Sequence, residues 1–266
     1  KPFWLKPFWL KFPVSSLFGI TLGRFCSVAP RLAMPEERKM KLWHHFPFRS
    51  IRCMWLVHEL GVEDDVDVVP FFPRFGDRGA SEEEMVGFKG EVHYHGTVPA
   101  LQLEDGQMLR ESGAICLYLA ERYGRLAPAI GTPERAQYLN WISYATSTAD
   151  EYLEPLYWEV VHKKEEERNQ AVVDKSVQKF REFATHFEDV MKDREFCCGE
   201  EFTAADCVLG YCVWWANHCG KGIGLCDDFP VFRAYCERLI AREGFTRCLP
   251  SKGKGGGKGS APPPAA

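Results

Sequence analysis

A short stretch in the middle of the chain, residues 98–115, constrains the fold more than any other. Two apolar runs flank the dipeptide Asp105-Gly106, and this arrangement is a strong signal for a β-hairpin with a tight turn. The residues that follow Ser112 repeat apolar side chains at helical spacing. The stretch therefore predicts a strand, a turn, a second strand and a helix in immediate succession.

Glu111 and Ser112 stand where the second strand passes into this helix. A helix N-terminus offers unpaired N–H groups and a partial positive charge, which favour a ligand carboxylate. A hydroxyl and a carboxylate side by side are suited to the carboxylate and the ammonium of an amino-acid group. The alternative is that Ser112 only caps the helix and Glu111 only favours its dipole. The two residues alone support both interpretations equally.

The composition restricts the class of protein. The chain has 266 residues, of which 45% are hydrophobic and 26% are charged, and its net charge of −4 gives no support for a nucleic-acid partner. There is no apolar run of about 18 residues, so we expect no membrane span. The 11 cysteines form no regular framework, and several fall inside helical patterns as reduced thiols would. This usage indicates a reducing compartment.

The first 35 residues differ from the rest of the chain. The sequence Lys-Pro-Phe-Trp-Leu occurs twice in tandem, and the segment is basic, with no acidic residue before Glu36. Such a composition is typical of an organelle transit peptide, with a secretory signal as a weaker alternative. A start at Met34 or Met40, with unrelated sequence upstream, is the other interpretation. We predict a leader or non-folded extension over 1–38.

The composition of the two ends of the chain also bears on the cellular location and on the order of the C-terminal tail. We expect a cytoplasmic protein, or a mitochondrial or other organellar one if residues 1–33 are a transit peptide. Residues 251–266 consist mainly of Gly, Lys, Pro and Ala. They cannot bury a core, and we predict a disordered tail.

Between these ends the patterns predict two domains. From Lys41 the order is strand, helix, strand, then a loop in which Ser81 caps a short helix, then the hairpin and its helix. This order predicts a small mixed sheet with helices on its faces, over 39–126. Beyond a linker, Thr132-Pro133 opens an all-α domain over 132–250. The predicted helices are 133–165 with a bend near Pro155, 168–192, 203–219, and 229–242 ending at Gly244.

The dipeptide Val98-Pro99 begins the first strand of the hairpin. A proline there loses no ladder hydrogen bond, and an X-Pro bond can be cis at a cost of about 0.5–1 kcal/mol. A cis bond would turn the N–H and C=O of Val98 outward, so that an extended ligand could pair with them as an added strand. The alternative is a proline that merely begins a strand.

Four stretches together resemble the cytosolic-type glutathione S-transferases, especially fungal and bacterial members. Residues 96–101 resemble the motif G-K-V-P-x-L, with Thr97 in place of the lysine, and 109–115 contain [E/Q]-S-x-A-I. Residues 49–61 resemble R-S-x-R-x-x-W-L-x-x-E-L-G, and 202–206 resemble S/T-x-A-D. The resemblance implies a thioredoxin-like α/β N-terminal domain followed by an all-α C-terminal domain.

The same resemblance implies glutathione as co-substrate and assigns residues to it. The cysteinyl backbone would pair with Val98 before a cis Pro99, while Glu111 would bind the ammonium group and Ser112 the γ-glutamyl carboxylate. Three further residues are candidates from their charge alone. Arg49 could supply positive charge, and His95 or Lys89 could bind the glycine carboxylate.

Two other residues of the matching motifs have a structural role. Thr203 and Asp206 form a capping box at a helix start. We assign this pair to folding and not to catalysis. We expect no metal.

The catalytic position departs from the family. These enzymes activate the glutathione thiol with a hydroxyl, or form mixed disulfides with a cysteine, just before the first helix. Phe48 stands where the usual serine would be, and Ser50 follows at the expected N-cap. Its hydroxyl could donate to the thiolate or only cap the helix, the cap being the favoured interpretation. His44 and His45 could also reach the site, and Cys53 is expected in the core.

The second substrate would lie between the domains, against the first long C-terminal helix. Aromatic residues recur along this helix and suit an apolar electrophile, and Tyr144 and Thr148 are our candidates for contact with it. The same stripe is equally typical of a core.

We predict a glutathione transferase of detoxification or small-molecule metabolism. A non-catalytic glutathione- or ligand-binding protein and a glutathione-dependent peroxidase or reductase are the alternatives. The resemblance implies a homodimer.

Overall fold

The structure, a computed structural model, describes residues 38–74 and 77–250. The predicted leader and the predicted C-terminal tail both lie outside these residues.

Four short strands form one mixed sheet in the order β2-β1-β3-β4. Strand β1 pairs in parallel with β2 and antiparallel with β3, and β3 pairs antiparallel with β4. The predicted turn joins the last two strands, where Gly106 has a φ of 93° and the Asp105 carboxylate accepts from the Gln107 N–H at 2.8 Å. The strands are β1 (Met40–His44), β2 (Val66–Pro70), β3 (Ala100–Gln102) and β4 (Met108–Arg110).

Three helices accompany the sheet: α1 (Ile51–Leu60), α2 (Glu82–Glu91) and α3 (Ser112–Arg122). Helix α1 ends at Gly61, whose φ of 64° is left-handed, and this is the usual role of glycine after a helix. Helix α2 begins with the predicted cap, because the Ser81 hydroxyl and the Glu84 carboxylate each accept the other residue's N–H. The predicted order of elements is confirmed.

The second half of the described chain is helical. The predicted helix 133–165 runs from Pro133 to Val161, but its irregular turn is π-helical and lies at Ala145–Ala149, before Pro155. Proline lacks the N–H that would close a regular turn, and π turns often occur at functional sites. The helices are α4 (Pro133–Tyr144), α5 (Asp150–Val161), α6 (Gln170–Met191), α7 (Ala204–Cys219), α8 (Pro230–Ile240) and α9 (Glu243–Thr246).

Helix α7 lies at the centre of this half and is buried on nearly every side. At its start the Thr203 N–H donates to the Asp206 carboxylate at 2.8 Å, which is half of the capping box. The same carboxylate accepts from the Cys197 N–H and the Tyr235 hydroxyl. Asp206 therefore joins the helix start to two neighbouring segments.

The two halves share one hydrophobic core. The Trp55 ring on α1 packs edge-on against Phe245 on α9 at 4.9 Å. Gly244 does not end a helix as predicted but lies within α9, where a Cβ would come within 2.6 Å of the Glu59 carboxylate. Within the described residues, no helix is long and apolar enough to cross a membrane.

Candidate glutathione site

The C-terminal ends of β1 and β4 and the N-terminal end of β3 lie at the same end of the sheet. The register pairs Ala100 with Arg110 across β3 and β4. Val98 and Pro99 come directly before this pair, and Glu111 and Ser112 come directly after it. On the other side β1 pairs Trp43 with Ala100, and His44 is the last residue of β1. The predicted ligand-binding residues Val98, Glu111 and Ser112 therefore lie at the same end of the sheet.

The backbone at this end of the sheet has unusual conformations. The Val98–Pro99 peptide bond is cis, as the sequence allowed. Glu111 has a φ of 73° and a ψ of 113°, a region that costs a non-glycine residue about 1–3 kcal/mol and is common at binding sites. Ser112 is the first residue of α3 and is buried, so its hydroxyl lies at the helix end that has unpaired N–H groups.

The Ser112 hydroxyl already has one protein partner. The Arg52 guanidinium donates to Ser112 Oγ at 3.2 Å. Because a hydroxyl has one hydrogen and two lone pairs, this contact occupies a lone pair and leaves the hydrogen free to donate. Ser112 is therefore equipped to donate to a carboxylate, with a cationic group directly behind it.

Arg52 is completely buried and ion-paired with Asp150 at the start of α5. Burial alone would lower the pKa of this guanidinium, but the Asp150 charge outweighs it and the pKa is raised. Burial alone would likewise raise the pKa of the Asp150 carboxyl, but the two arginines beside it hold that pKa below its usual value. Both groups are charged at neutral pH.

Arg49 extends the same network to the surface. Its guanidinium donates to Asp150 at 2.8 Å and to Glu154 at 2.7 Å. The positive charge predicted for Arg49 is thus shared with two acids. In the sequence, the four-residue spacing of Asp150 and Glu154, which puts both on one helix face, was the signal that could have identified them.

The predicted role of Ser50 as the α1 cap is wrong. Ser50 precedes α1, but its side chain makes no cap hydrogen bond. The hydroxyl oxygen points back to the end of β1, where it accepts from the His45 N–H at 3.1 Å and lies 2.9 Å from His44 Nδ1 and 3.1 Å from the His45 carbonyl. Ser50 is fully buried, so its hydroxyl is engaged within the protein.

The same end of the sheet borders a cavity of about 1260 Å³. Its lining includes His44, Val98 and Phe48. Opposite them stand side chains of α5 and α7, among which Tyr157 and Trp215 pack with ring centroids 4.7 Å apart. Arg49, His95 and Lys89, all candidates for glutathione contact, line the cavity too, whereas Glu111 and Ser112 lie outside its lining.

The prediction of Tyr144 and Thr148 as second-substrate contacts needs correction, since neither lines this cavity. The Tyr144 ring packs against Phe183 on α6 at 4.9 Å, and its hydroxyl bonds to Tyr152. Thr148 is exposed within the π turn. The aromatic residues of this long helical segment that do line the cavity come about three turns later, at Tyr157 and Trp158.

His95 is held in place by its neighbour His93. The His95 N–H donates to His93 Nδ1 at 3.2 Å, and His93 Nε2 lies 3.3 Å from the Thr97 hydroxyl. Burial, followed by the nearby Arg110 charge, lowers the pKa of His93. A neutral His93 can accept at Nδ1 and donate at Nε2, which fixes the loop that leads to Val98.

Cys53 lies in the core, as expected. It is fully buried, and burial raises the pKa of its thiol well above the usual value. A thiol in this state is a poor nucleophile. Over residues 38–74 and 77–250, the structure contains no cluster of three or more His, Cys, Asp or Glu residues that could hold a metal ion.

Comparisons with known proteins agree with this geometry. Residues 49–122 match the family model described as "Glutathione S-transferase, N-terminal domain", and 170–238 match "Glutathione S-transferase, C-terminal domain". Glutathione S-transferase GstA of Escherichia coli O157:H7 is 28% identical over 164 residues, which cover 61% of this chain and 77% of GstA.

Solved structures share the fold. A glutathione transferase from Methylococcus capsulatus superposes with a TM-score of 0.63 at 25% identity, over 79% of this chain and 96% of that one. Ure2p5 from Phanerochaete chrysosporium, cocrystallized with 1-(S-glutathionyl)-2,4-dinitrobenzene, has a TM-score of 0.64 at 20% identity, over 79% of this chain and 93% of its own. With both domain models matched in order, the chain belongs to the glutathione S-transferase family.

Proposed function

We propose that this protein is a glutathione transferase that binds glutathione at the end of the sheet where β3 begins and β4 ends. It conjugates the glutathione thiolate to an apolar electrophile in the adjoining cavity. One observation carries the proposal. Val98 comes just before β3, the N-terminus of α3 at Ser112 comes just after β4 at the same end of the paired strands, and Val98 lines the cavity.

The chemistry of each group fits one part of glutathione. Ser112 can donate to the γ-glutamyl carboxylate, and the α3 N–H groups and the Arg52 charge favour the same anion. The negatively charged Glu111 carboxylate pairs with the ammonium group of glutathione. The N–H and C=O of Val98 pair with the cysteinyl backbone like an added strand.

The cavity suits an anionic peptide beside an apolar partner. Its lining has four cationic side chains, Arg49, Arg74, Arg78 and Lys89, against the two acidic ones, Glu82 and Glu154. The wall formed by α5 and α7 is aromatic, and flat apolar molecules pack well against such surfaces. The volume exceeds the range of about 300–1,000 Å³ that is usual for one small ligand, so two substrates can be accommodated.

Calorimetry and a conjugation assay test the proposal together. We expect glutathione to bind the full chain and to react with chlorodinitrobenzene faster than in buffer, with saturation in both substrates. Ser112→Ala should weaken glutathione binding by about tenfold, the value of a hydrogen bond to a charged group. Absence of glutathione binding in the parent protein would refute the proposal.

A non-catalytic glutathione-binding protein is the second candidate. Phe48 replaces the usual serine, and the Ser50 hydroxyl is buried and engaged by the end of β1. Binding without any conjugation over a panel of electrophiles would favour it. The reductase alternative has less support, because Cys53 is fully buried and cannot form a mixed disulfide with bound glutathione. A peroxidase needs only the bound thiolate, and turnover of an organic hydroperoxide tests that alternative.

The predicted homodimer remains a proposal that rests on the family. Sedimentation equilibrium of the purified chain tests it directly. A single species at the mass of one chain over the micromolar range would contradict it.

A further inference from the structure

We propose that His44 is the hydrogen-bond donor to the glutathione thiolate in this protein, and that Ser50 is the positioning residue that orients its ring. The inference rests on the proposed glutathione site. It assigns the task of the missing serine to a residue on the neighbouring strand.

The position of His44 supports this role. It is the last residue of β1 and lines the cavity together with Val98 and Phe48. The pairing of Trp43 with Ala100 puts His44 and the Val98–Pro99 dipeptide at the same end of β1 and β3. Ser112, at the start of α3, follows β4 at that end. A glutathione molecule with its γ-glutamyl end at Ser112 and its cysteinyl backbone at Val98 has its thiol within reach of the β1 end.

The contact with Ser50 determines which ring nitrogen faces the ligand. Ser50 Oγ lies 2.9 Å from His44 Nδ1 and accepts from the His45 N–H. When the Ser50 hydrogen points to Nδ1, that nitrogen is the acceptor and the ring proton must sit on Nε2. The His45 carbonyl, 3.1 Å from Ser50 Oγ, is the other acceptor within reach of this hydrogen, and a bond to it would leave the ring proton on Nδ1. We take the shorter contact, 2.9 Å to Nδ1, which leaves the proton on Nε2, the ring nitrogen not bound to Ser50.

The ring is neutral at the pH at which the reaction would run. Burial, followed by the repulsion of the neighbouring His45, lowers the pKa of His44 to about 4. A neutral imidazole of this kind does not retain a proton taken from a thiol. It stabilises the anion by donating, so that the thiol proton passes to solvent water.

The reaction then balances without a further reagent. The thiolate sulfur attacks the electrophilic carbon and forms the S–C bond, and a leaving group such as chloride departs with the bonding electron pair. The Nε2–H of His44 stays on the ring and stabilises the negative charge of the sulfur by a hydrogen bond until the sulfur attacks.

His45 is less suited to the same role. Its ring stacks on Phe72 with centroids 4.4 Å apart and lies 5.6 Å from the Phe48 ring. Its Nδ1 is buried with no hydrogen-bond partner. Two aromatic neighbours therefore fix this ring, whereas the ring of His44 is fixed by a hydroxyl that sets its tautomer.

The decisive experiment measures the pKa of the bound glutathione thiol from the ultraviolet absorbance of the thiolate. His44→Phe should raise that pKa by about one unit or more and lower kcat by about 10- to 100-fold, as expected for the loss of a hydrogen bond to a charge. The glutathione Kd should stay within about threefold, because the backbone contacts remain. His44→Gln, whose amide N–H can replace Nε2–H, should recover part of the loss.

Two further variants separate the roles. Ser50→Ala should shift the thiol pKa in the same direction but less, because the ring remains while its tautomer is no longer fixed. His218→Gln is the matched control, since this histidine lies on α7, stacks on Trp214 and does not line the cavity. It should leave the thiol pKa unchanged.

Nitrogen chemical shifts of labelled His44 in the parent protein give a test that needs no variant. With glutathione bound, the inference requires a neutral ring protonated at Nε2, and protonation at Nδ1 overturns it. An unchanged thiol pKa in a folded His44→Phe that binds glutathione also overturns it, while the proposed function stands. A parent protein that binds no glutathione overturns both.

Discussion

The guanidinium of Arg52 and the carboxylate of Asp150 form a two-point ion pair between α1 and α5, with N–O distances of 3.0 and 2.9 Å. The same guanidinium donates to Ser112 and to the carbonyl of Val208. One buried cation therefore connects α1, the helical half and the residue proposed to bind the γ-glutamyl carboxylate. Its integrity should affect both stability and ligand binding.

Asp150→Ala leaves the Arg52 charge buried without its main partner, and we expect the free energy of unfolding to fall by about 3–5 kcal/mol. Urea unfolding monitored by tryptophan fluorescence measures the change. Asp228→Asn is the matched control, because the Arg181–Asp228 pair is exposed and should be worth less than about 1 kcal/mol. Equal losses in the two variants would contradict this account.

Acid should destabilise the protein partly through His44. The folded chain binds this proton only at a pKa of about 4, whereas the unfolded chain binds it at about 6.5. Between these values the unfolded state holds more protons, so stability falls as the pH falls through this window. His44→Phe should lose less stability than the parent between pH 7.5 and pH 5 in urea titrations, and parallel losses would show that His44 does not contribute.

Glu111→Gly tests whether the backbone at this residue is held for function. The left-handed φ of 73° is costly for glutamate and free for glycine, so we expect the unfolding free energy to rise by up to about 1 kcal/mol. Glutathione affinity should fall by about tenfold with the lost charge. Glu111→Gln separates the two effects, because it removes the charge and keeps the strained backbone. An unchanged glutathione Kd in both variants would exclude a role for the carboxylate.

The crossing of α1 and α7 depends on Gly210. A Cβ at this position would come within 2.6 Å of Leu239 and 3.0 Å of the Trp55 ring, so Gly210→Ala should destabilise the protein by about 1–3 kcal/mol. Gly90→Ala on α2 meets nothing within 4 Å and should stabilise by about 0.5–1 kcal/mol. Thermal denaturation of both variants is the measurement. A stable Gly210→Ala would mean that the two helices can separate at little cost.

The second-substrate wall is tested by comparing α5 with the π turn. Trp158 lines the cavity and Thr148 does not. Trp158→Ala should raise KM for an aromatic electrophile by about tenfold or more, as expected when an aromatic side chain that packs against the substrate is removed, and leave KM for glutathione unchanged. Thr148→Ala should change neither constant. The reverse result would restore the assignment made from the sequence.

The sequence identified the hairpin and its helix because local chemistry specifies them. Asp105-Gly106 favours one turn type, Gly61 ends α1, and the capping box at Ser81 begins α2. These signals act over a few residues, so they survive in any context that permits the fold. The four family motifs then located Val98 and the dipeptide after β4.

Other features depended on contacts between distant residues. Ser50 has the composition of a helix cap, yet its hydroxyl turns back to the end of β1. Tyr144 has the spacing of a cavity residue, yet it packs against α6. Helical periodicity shows that a face is apolar but not whether another helix or a ligand covers it.

Turn, cap and periodicity signals are local. From them the amino-acid sequence specifies the order of elements, the two kinds of domain and the pair Glu111-Ser112 at a helix start. Tertiary structure alone decided that Arg52 pairs with Asp150, 98 residues away in the chain, and that His44 meets Ser50 beside the cavity. Such contacts arise from packing of the whole chain. The groups that would control the chemistry here are therefore set by the fold and not by any single motif.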